Sequence, residues 1–351
     1  MVKSSSRIKL RDIADKLGIS VSAVNKALTG RSGVSDQLRK KVVETANEMG
    51  YRVNRTAQSL SRNEIRLGII MPNLYPSFYG QMHAGMQYKL RELSDYRISA
   101  ETYYVPTLYS KQQMVEGIKH FIEENVDALI LCPNFVTEFD DMFELLREHG
   151  IPLVIIGSEL DNSNRLCCIG HDSFMAGKLA AEFMRYAVAD DKHTVIFIGN
   201  KSMRDHQRKV AGFSEINSTL NPITDVFETL DEPEMARLIV HKLLNERKDI
   251  GGIYVATGNA LAVCEEICKM HLEQNVRVLG TDILADMQMY FDNGPLCGVI
   301  FQDPFRQGKL AVQILFDYLT INAQPISQLL VCPQVVLGSS FPHYVHEDVD
   351  E

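Results

Sequence analysis

The stretch GISVSAVNKAL, residues 18–28, joins two short helical patterns through a glycine and decides how the amino-terminal part of the chain folds. Before it, apolar residues recur on one face of a short helix, and Gly18 can adopt the left-handed conformation that ends a helix. After it, Ser20 is a good amino-terminal cap for a second helix over about Val21–Leu28. The pattern predicts a helix-turn-helix, in which the small Ala14 lets the two helices approach closely.

The outward face of the second predicted helix has a distinct chemistry. Its apolar residues point inward, which leaves Val21, Ser22, Asn25 and Lys26 outside. Short polar and cationic side chains on such a helix can read base edges in the major groove of DNA. A capped helical hairpin that merely faces solvent is the alternative interpretation of the same pattern.

The distribution of charge favours DNA. Residues 1–62 contain thirteen lysines and arginines against five acids, a net charge of +8, so the rest of the chain carries −17 of the total of −9. Ser35 caps a third helical pattern, and Arg39, Lys40 and Lys41 follow near its start, where they can reach phosphates. A basic head is therefore joined to an acidic body, and we expect only the head to meet a polyanion.

The composition is that of a globular protein with a substantial core, because 45% of its 351 residues are hydrophobic and 23% are charged. The first residues lack the apolar core of a signal peptide, and no apolar run approaches the length of a membrane span. We therefore expect a cytoplasmic protein with no membrane partner. Cys132 and Cys332 lie in apolar runs, as buried thiols do, and Cys167 and Cys168 lack a partner at a ligand spacing. No metal or cofactor is predicted.

From Ile65 onward, short apolar runs alternate with helical patterns. The runs are RLGIIM, ISAETYYV, VDALILC and PLVIIG, and the rhythm restarts with HTVIFIG, GGIYVAT and VRVLG. Continuous apolar runs are typical of parallel strands that are buried on both faces, so the body is predicted to be α/β, with two successive doubly wound parallel-sheet lobes. Ligands of such sheets bind beyond the carboxyl ends of the strands.

Common enzyme signatures are missing from the sequence. No G-x-G-x-x-G follows a predicted strand, GHDSFMAGKL spaces its glycines wrongly for a P-loop, and neither G-x-S-x-G nor H-E-x-x-H occurs. We therefore expect a binding protein and not an enzyme. A two-lobed solute-binding receptor without a regulatory role is the alternative, but it would need an export signal and would have no use for a basic head.

The segments IKLRDIADKLGISVSAVNKAL, VSDQLRKKV, GYRVN and AQSLS resemble the LacI/GalR family of bacterial transcription regulators. The resemblance is dense over residues 7–62 and continues more loosely to about residue 340. It implies a homodimeric repressor with an all-α head on a pseudo-palindromic operator, and a body of the periplasmic sugar-binding type. The implied domains are a helix-turn-helix domain at 1–52, a hinge helix or linker at 53–63, a two-lobed effector domain at 64–342 and an acidic tail at 343–351.

The resemblance also assigns roles in DNA binding. It implies that a hinge helix from about Arg55 to Ser61 orders in the minor groove, where Leu60 would act as a wedge between base steps. Val21 and Ser22 stand where relatives often have longer polar or aromatic side chains, and Lys26 stands where an arginine is common. Both lysine and arginine can donate to guanine, but lysine lacks the rigid bidentate fork of arginine, so these positions do not predict an operator sequence.

For the body, the resemblance implies a carbohydrate-like effector between the lobes. Phe78 and Tyr79 stand where aromatic side chains stack on the effector ring, although a core contact at a helix start is the alternative. Asp282, which ends VLGTD, and Gln302, in VIFQDP, stand where the family bonds ligand hydroxyls. A carboxylate and an amide at the ends of apolar strands are unusual choices for a core, which favours the binding role.

The sequence departs from the family at several of these positions. Lys209 stands where an arginine usually binds the effector, and Arg208 is one residue away, so either is a candidate. In VATGNAL, the usual Asn-Asp pair is replaced by Thr257, Gly258 and Asn259, of which Asn259 is the candidate for effector binding.

Two further positions are open to two interpretations. Gly157 or Ser158 occupies a strand end where sugar-binding relatives often have aspartate. Asp172 stands at a position that is often polar in the family, but it could equally cap the helix that begins at Ser173.

Overall fold

A computed structural model of the chain describes residues 10–28, 33–49, 64–106, 110–133, 139–158, 160, 164–217 and 225–345. The predicted hinge, with Arg55 and Leu60, lies outside the described residues. Within the described part, no helix is long and apolar enough to cross a membrane.

The described part of the head, residues 10–28 and 33–49, contains three helices, and its turn forms as the sequence predicts. Gly18 has a φ of +65°, and the backbone N–H of Ile19 donates to the carbonyl of Ala14 at 3.1 Å, which closes the end of the first helix. The hydroxyl of Ser20 accepts from the N–H of Ala23 at 3.1 Å and so caps the second helix. The helices are α1 (Leu10–Leu17), α2 (Val21–Leu28) and α3 (Asp36–Glu48).

The body forms two lobes, each built on a parallel sheet, as predicted. In the first lobe the strand order is β11-β5-β4-β3-β1-β2, with all pairs parallel. Its strands are β1 (Ile65–Pro72), β2 (Ile98–Val105), β3 (Ala128–Leu131), β4 (Leu153–Gly157), β5 (Cys167–His171) and β11 (Gln328–Val331). Its helices are α4 (Gln81–Glu92), α5 (Lys111–Glu123), α6 (Asp140–Glu148) and α12 (Pro304–Ile321).

The second lobe repeats the arrangement with the strand order β12-β10-β9-β8-β6-β7, in which only the pairing of β10 with β12 is antiparallel among the described strands. Its strands are β6 (His193–Ile198), β7 (Val226–Glu228), β8 (Ile250–Val255), β9 (Arg277–Thr281), β10 (Leu296–Phe301) and β12 (Gln334–Val336). Its helices are α7 (Ser173–Ala187), α8 (Arg204–Asn217), α9 (Pro233–Glu246), α10 (Ala260–Lys269) and α11 (Gln288–Asn293).

The chain passes between the lobes at three points of the described part. The passages lie at Asp172, at residues 302–303 and at residues 332–333, so each lobe is assembled from non-contiguous segments. Cys132 is buried as expected, but the expectation for Cys332 is wrong, because it lies at the third passage and is exposed. The packed body also extends beyond residue 342, since Tyr344 and Val345 pack against the core of the second lobe.

Helices α7 and α8 approach each other so closely that their contact requires glycine. A Cβ atom on Gly177 would lie 2.0 Å from the carbonyl oxygen of Lys209, and one on Gly212 would lie 2.0 Å from that of Phe174. These distances are far inside van der Waals contact, and the opposing atoms are backbone atoms that cannot rotate away. The glycines therefore set the position of α8, which carries several cleft residues.

We expect Gly177→Ala to lower the free energy of unfolding by about 1–3 kcal/mol or more, because the added methyl group forces α7 and α8 apart. Urea unfolding of the purified chain measures this change. Gly80→Ala is the matched control, since its Cβ would lie 3.6 Å from Cβ of Pro76, an ordinary contact, and should change stability by less than about 1 kcal/mol. If Gly177→Ala had the same free energy of unfolding as the unaltered protein, the close contact between α7 and α8 would be contradicted.

Candidate functional site

A cavity of the described body, called the main cleft below, lies between the lobes at the carboxyl ends of both sets of parallel strands. It encloses about 810 Å³, including its open mouth. Pro133 follows β3, Ser158 follows β4, Thr257 follows β8 and Asp282 follows β9, so the strand ends supply much of its lining. This is the position that the doubly wound topology favours for a ligand.

One wall of the cleft is aromatic. Pro76–Gly80 forms a π-helical turn ahead of α4 and carries Phe78 and Tyr79, whose rings meet edge to face with centroids 5.1 Å apart. Both rings line the cleft, and both also pack against the core of the first lobe. The core contact and the cleft position that the sequence left as alternatives are thus both present.

Tyr75, which sequence reasoning missed, connects the two lobes. It has a φ of +48°, and its hydroxyl donates to the backbone carbonyl of Asp231 at 2.5 Å. Burial raises the pKa of Tyr75 to about 12, with a further contribution from the negative charges of Asp231 and Glu232. The phenol therefore remains a hydrogen-bond donor throughout the physiological pH range.

Asp282 and Gln302 meet at the floor of the cleft. The amide Nε2 of Gln302 donates to Oδ1 of Asp282 at 2.6 Å, and the side chain Nε2 of Gln307 donates to the backbone carbonyl of Gln302 at 2.9 Å. Asp282 is 7% exposed, and burial raises its pKa to about 6, although Gln302 and Lys209 oppose the shift. The structure thus brings together the two strand-end residues that the sequence singled out.

The structure separates the two cationic candidates. Lys209 lines the cleft, is buried, and donates from Nζ to the carbonyl of Ala256 at 3.0 Å. Burial lowers the pKa of Lys209, whereas the nearby carboxylates of Asp282, Asp205 and Asp231 act to raise it. Arg208 instead lines a neighbouring cavity.

The Arg208 guanidinium lies 3.9 Å from Oδ1 of Asp172. That carboxylate also accepts from the N–H of Met175 at 3.1 Å, so Asp172 caps α7 and does not line the main cleft.

Asn259 is also placed behind the cleft. Its Nδ2 donates to the hydroxyl of Thr229 at 3.1 Å, and its backbone N–H donates to the hydroxyl of Thr257 at 3.4 Å. Asn259 directly precedes α10, and it is buried, so this bond to Thr229 lies in the interior of the second lobe. It braces the loop that presents Thr257 and Gly258 to the cleft.

Asp205 is a second cleft residue that sequence reasoning missed. Its Oδ2 accepts from the Ser158 hydroxyl at 2.9 Å across the cleft, and its Oδ1 accepts from the Ser173 hydroxyl at 3.2 Å. Ser158 belongs to the first lobe and stands at a position where sugar-binding relatives often have an aspartate. In this protein, Asp205 of the second lobe supplies a carboxylate there instead. Asp205 could have been recognised from the sequence by its spacing of four residues from Lys209, because this spacing places both side chains on one face of α8.

His171 and His206 complete the polar lining. Nε2 of His171 lies 3.1 Å from the Ser173 hydroxyl, and Nδ1 of His206 lies 3.0 Å from the Asn200 carbonyl. Burial, followed by the positive charge of Lys209, lowers the pKa of both imidazoles, that of His171 well below its ordinary value. Both rings are therefore neutral at neutral pH.

On the head, the predicted outward face of α2 is largely accessible. Val21, Ser22 and Lys26 are exposed, and Asn25 is half-buried. Lys40 and Lys41 on α3 are exposed as well, whereas Arg39 reaches back to the carbonyl of Ala27 at 3.5 Å.

The fold and the cleft define a two-lobed ligand-binding body joined to a helix-turn-helix head. Residues 9–54 match the bacterial regulatory proteins of the lacI family, and residues 67–323 match the periplasmic binding protein domain. The body therefore belongs to the periplasmic binding protein domain family, and the head is a lacI-family helix-turn-helix domain.

Relatives match the head and the body together, and solved structures share the fold of the body. The chain is 24% identical to catabolite control protein A of Priestia megaterium over 92% of its own length and 96% of the relative's. It is 23% identical to the ribose operon repressor of Lactococcus lactis over 90% of this chain and 92% of that protein. A periplasmic solute-binding protein of Actinobacillus succinogenes with bound D-allose superposes with a TM-score of 0.73 at 22% identity, over 80% of this chain and all of that one, which shows the fold.

Proposed function

We propose that the protein is a cytoplasmic repressor that binds an operator through its head and whose operator affinity is set by a carbohydrate-like effector between its lobes. Ser22, Asn25 and Lys26 read base edges, with Val21 beside them. Phe78, Tyr79, Lys209, Asp282 and Gln302 contact the effector.

The proposal depends on two features that occur together in one chain. The basic head exposes a polar face of α2, and the body contains a cleft that both lobes line. The bonds from Tyr75 to Asp231 and from Ser158 to Asp205 join the lobes across that cleft. A ligand that fills the cleft must contact or displace these groups, so its binding couples to the separation of the lobes.

In the proposed complex, two copies of the chain present their α2 helices to the two halves of a pseudo-palindromic operator. Arg55 contacts the DNA backbone from the hinge, and Leu60 inserts as an apolar wedge that bends the duplex. The body then acts as the sensor and the head as the reader. No catalytic step is part of this proposal.

The test has two steps. First, duplexes with a randomised centre are selected on the full chain, and we expect enrichment of one pseudo-palindromic sequence. Second, the affinity for that duplex is measured by fluorescence anisotropy with and without polyols that raise the melting temperature of the protein. We expect a polyol to change operator affinity by roughly 5- to 150-fold. A polyol that binds the protein but leaves DNA affinity unchanged would support the solute-receptor alternative instead.

A further inference from the structure

We infer that the effector is a polyhydroxylated ring without an anionic group, and that an amine in place of one ring hydroxyl strengthens its binding. This inference rests on the proposed function and specifies the chemical class of its effector.

The charges that face the cleft have an acidic excess. Three carboxylates, those of Asp205, Asp231 and Asp282, line it, and among the described residues the only lysine or arginine that does so is Lys209. The two histidines of the lining have lowered pKa values and contribute no positive charge at neutral pH. A phosphate or carboxylate that entered would meet net repulsion in a site partly screened from water.

The charge of Lys209 is already engaged. Nζ of Lys209 donates to the Ala256 carbonyl, and the carboxylates of Asp282, Asp205 and Asp231 all act on its charge. Recognition of a phosphate or carboxylate usually relies on a guanidinium fork or on several cations. The arginines of α8, Arg204 and Arg208, line the neighbouring cavity and not this one.

The helix ends beside the cleft are also occupied by acids. Helix amino termini are ready sites for anions, because their free N–H groups and dipoles favour negative charge. In this protein, Asp172 caps α7, and Asp205 lies in the first turn of α8. The Asp205 carboxylate accepts from the hydroxyls of Ser158 and Ser173, and its negative charge at this helix end opposes the approach of an anionic ligand from the cleft.

The remaining hydrogen-bonding capacity favours a ligand with O–H and N–H donors. Oε1 of Gln302 is buried, and the described protein atoms provide no hydrogen-bond partner for it. The neighbouring carboxylate of Asp282 is an acceptor as well. Hydroxyl and ammonium groups satisfy such acceptors, and the aromatic rings of Phe78 and Tyr79 in the same lining can pack against C–H groups or a cation.

The test is a matched panel on the full chain. Neutral hexoses and pentoses, their 2-amino counterparts, their terminal phosphates and their uronates are screened by thermal shift, and hits are titrated by calorimetry. We expect hits among the neutral and amino sugars only, with the phosphate or uronate of any hit at least tenfold weaker. A phosphate or uronate that binds more tightly than its neutral parent overturns the inference while leaving the proposed function intact. A panel without any hit contradicts the carbohydrate-like effector of the proposed function, and the inference with it.

A charge-removing variant tests the cause of the selectivity. In Asp205→Asn, the ratio of amino-sugar to neutral-sugar affinity should fall severalfold toward one, and the penalty on the phosphate should shrink. Asp191→Asn is the control, because it makes the same charge change at an exposed site near the opposite end of β6 and should leave both ratios unchanged. If Asp205→Asn does not fold, Asp231→Asn replaces it. Unaltered ratios in the folded variant would overturn the electrostatic argument.

Discussion

A chain that begins at Glu64 is expected to keep the fold and ligand binding of both lobes and to lose specific DNA affinity by more than about a thousandfold. The described buried core of the head lies between Ile13 and Ala46, and the cores of the lobes begin at Ile65, so the described cores share no residue. The head also carries a net charge of +8, whereas the remaining chain is acidic. Gel retardation at physiological salt, with thermal melting of the same sample, measures both outcomes.

Single substitutions in the full chain provide the matched comparison. Lys40→Ala and Lys41→Ala should each reduce the slope of log affinity against log salt by about 0.9 if the lysine contacts a phosphate. Lys242→Ala, an exposed lysine on α9 of the body, should leave the slope unchanged. Retardation of duplex DNA by the chain that begins at Glu64 would contradict the assignment of DNA binding to the head.

Asp282→Asn is expected to weaken effector binding by about ten- to a hundredfold, because it removes a charged acceptor from a buried site. The same change should make the ligand-free protein more stable above pH 6. Burial places the pKa of Asp282 at about 6, above its ordinary value of 3.8, so the folded protein binds this proton more tightly than the unfolded chain. Ionisation of Asp282 therefore costs stability above pH 6 and costs nothing below pH 3.8.

Unfolding as a function of pH, combined with calorimetry, tests this prediction. The variant should gain on the order of 1–2 kcal/mol at pH 7.5, and the gain should shrink as the pH falls toward 4. The gain is limited because Lys209 loses one of the three carboxylates that favour its charge. Asp191→Asn is again the control and should change neither property. A less stable variant with unaltered effector affinity would show that the carboxylate serves the fold and not the ligand.

The head was predictable from the sequence almost residue by residue, because its determinants are local. The left-handed Gly18, the caps Ser20 and Ser35, and the buried Val24 follow from helical periodicity and capping rules that act within a few residues. The seven runs quoted from the body are likewise strands. Six of them are apolar because they lie inside their sheets, whereas β2 is an edge strand in which only the two ends are buried.

The tertiary structure alone decided how these elements are combined into a cleft. The short strands β5, β7, β11 and β12 were not identified, because three to five residues carry too little periodicity to distinguish a strand from a loop. The choice between Lys209 and Arg208, the position of Asn259 behind the lining, and the bond from Asp205 to Ser158 all depend on contacts between segments far apart in sequence. Such contacts arise only when three passages of the chain bring the ends of two sheets together. Periodicity within one segment contains no information about the side chains that another segment will place opposite it.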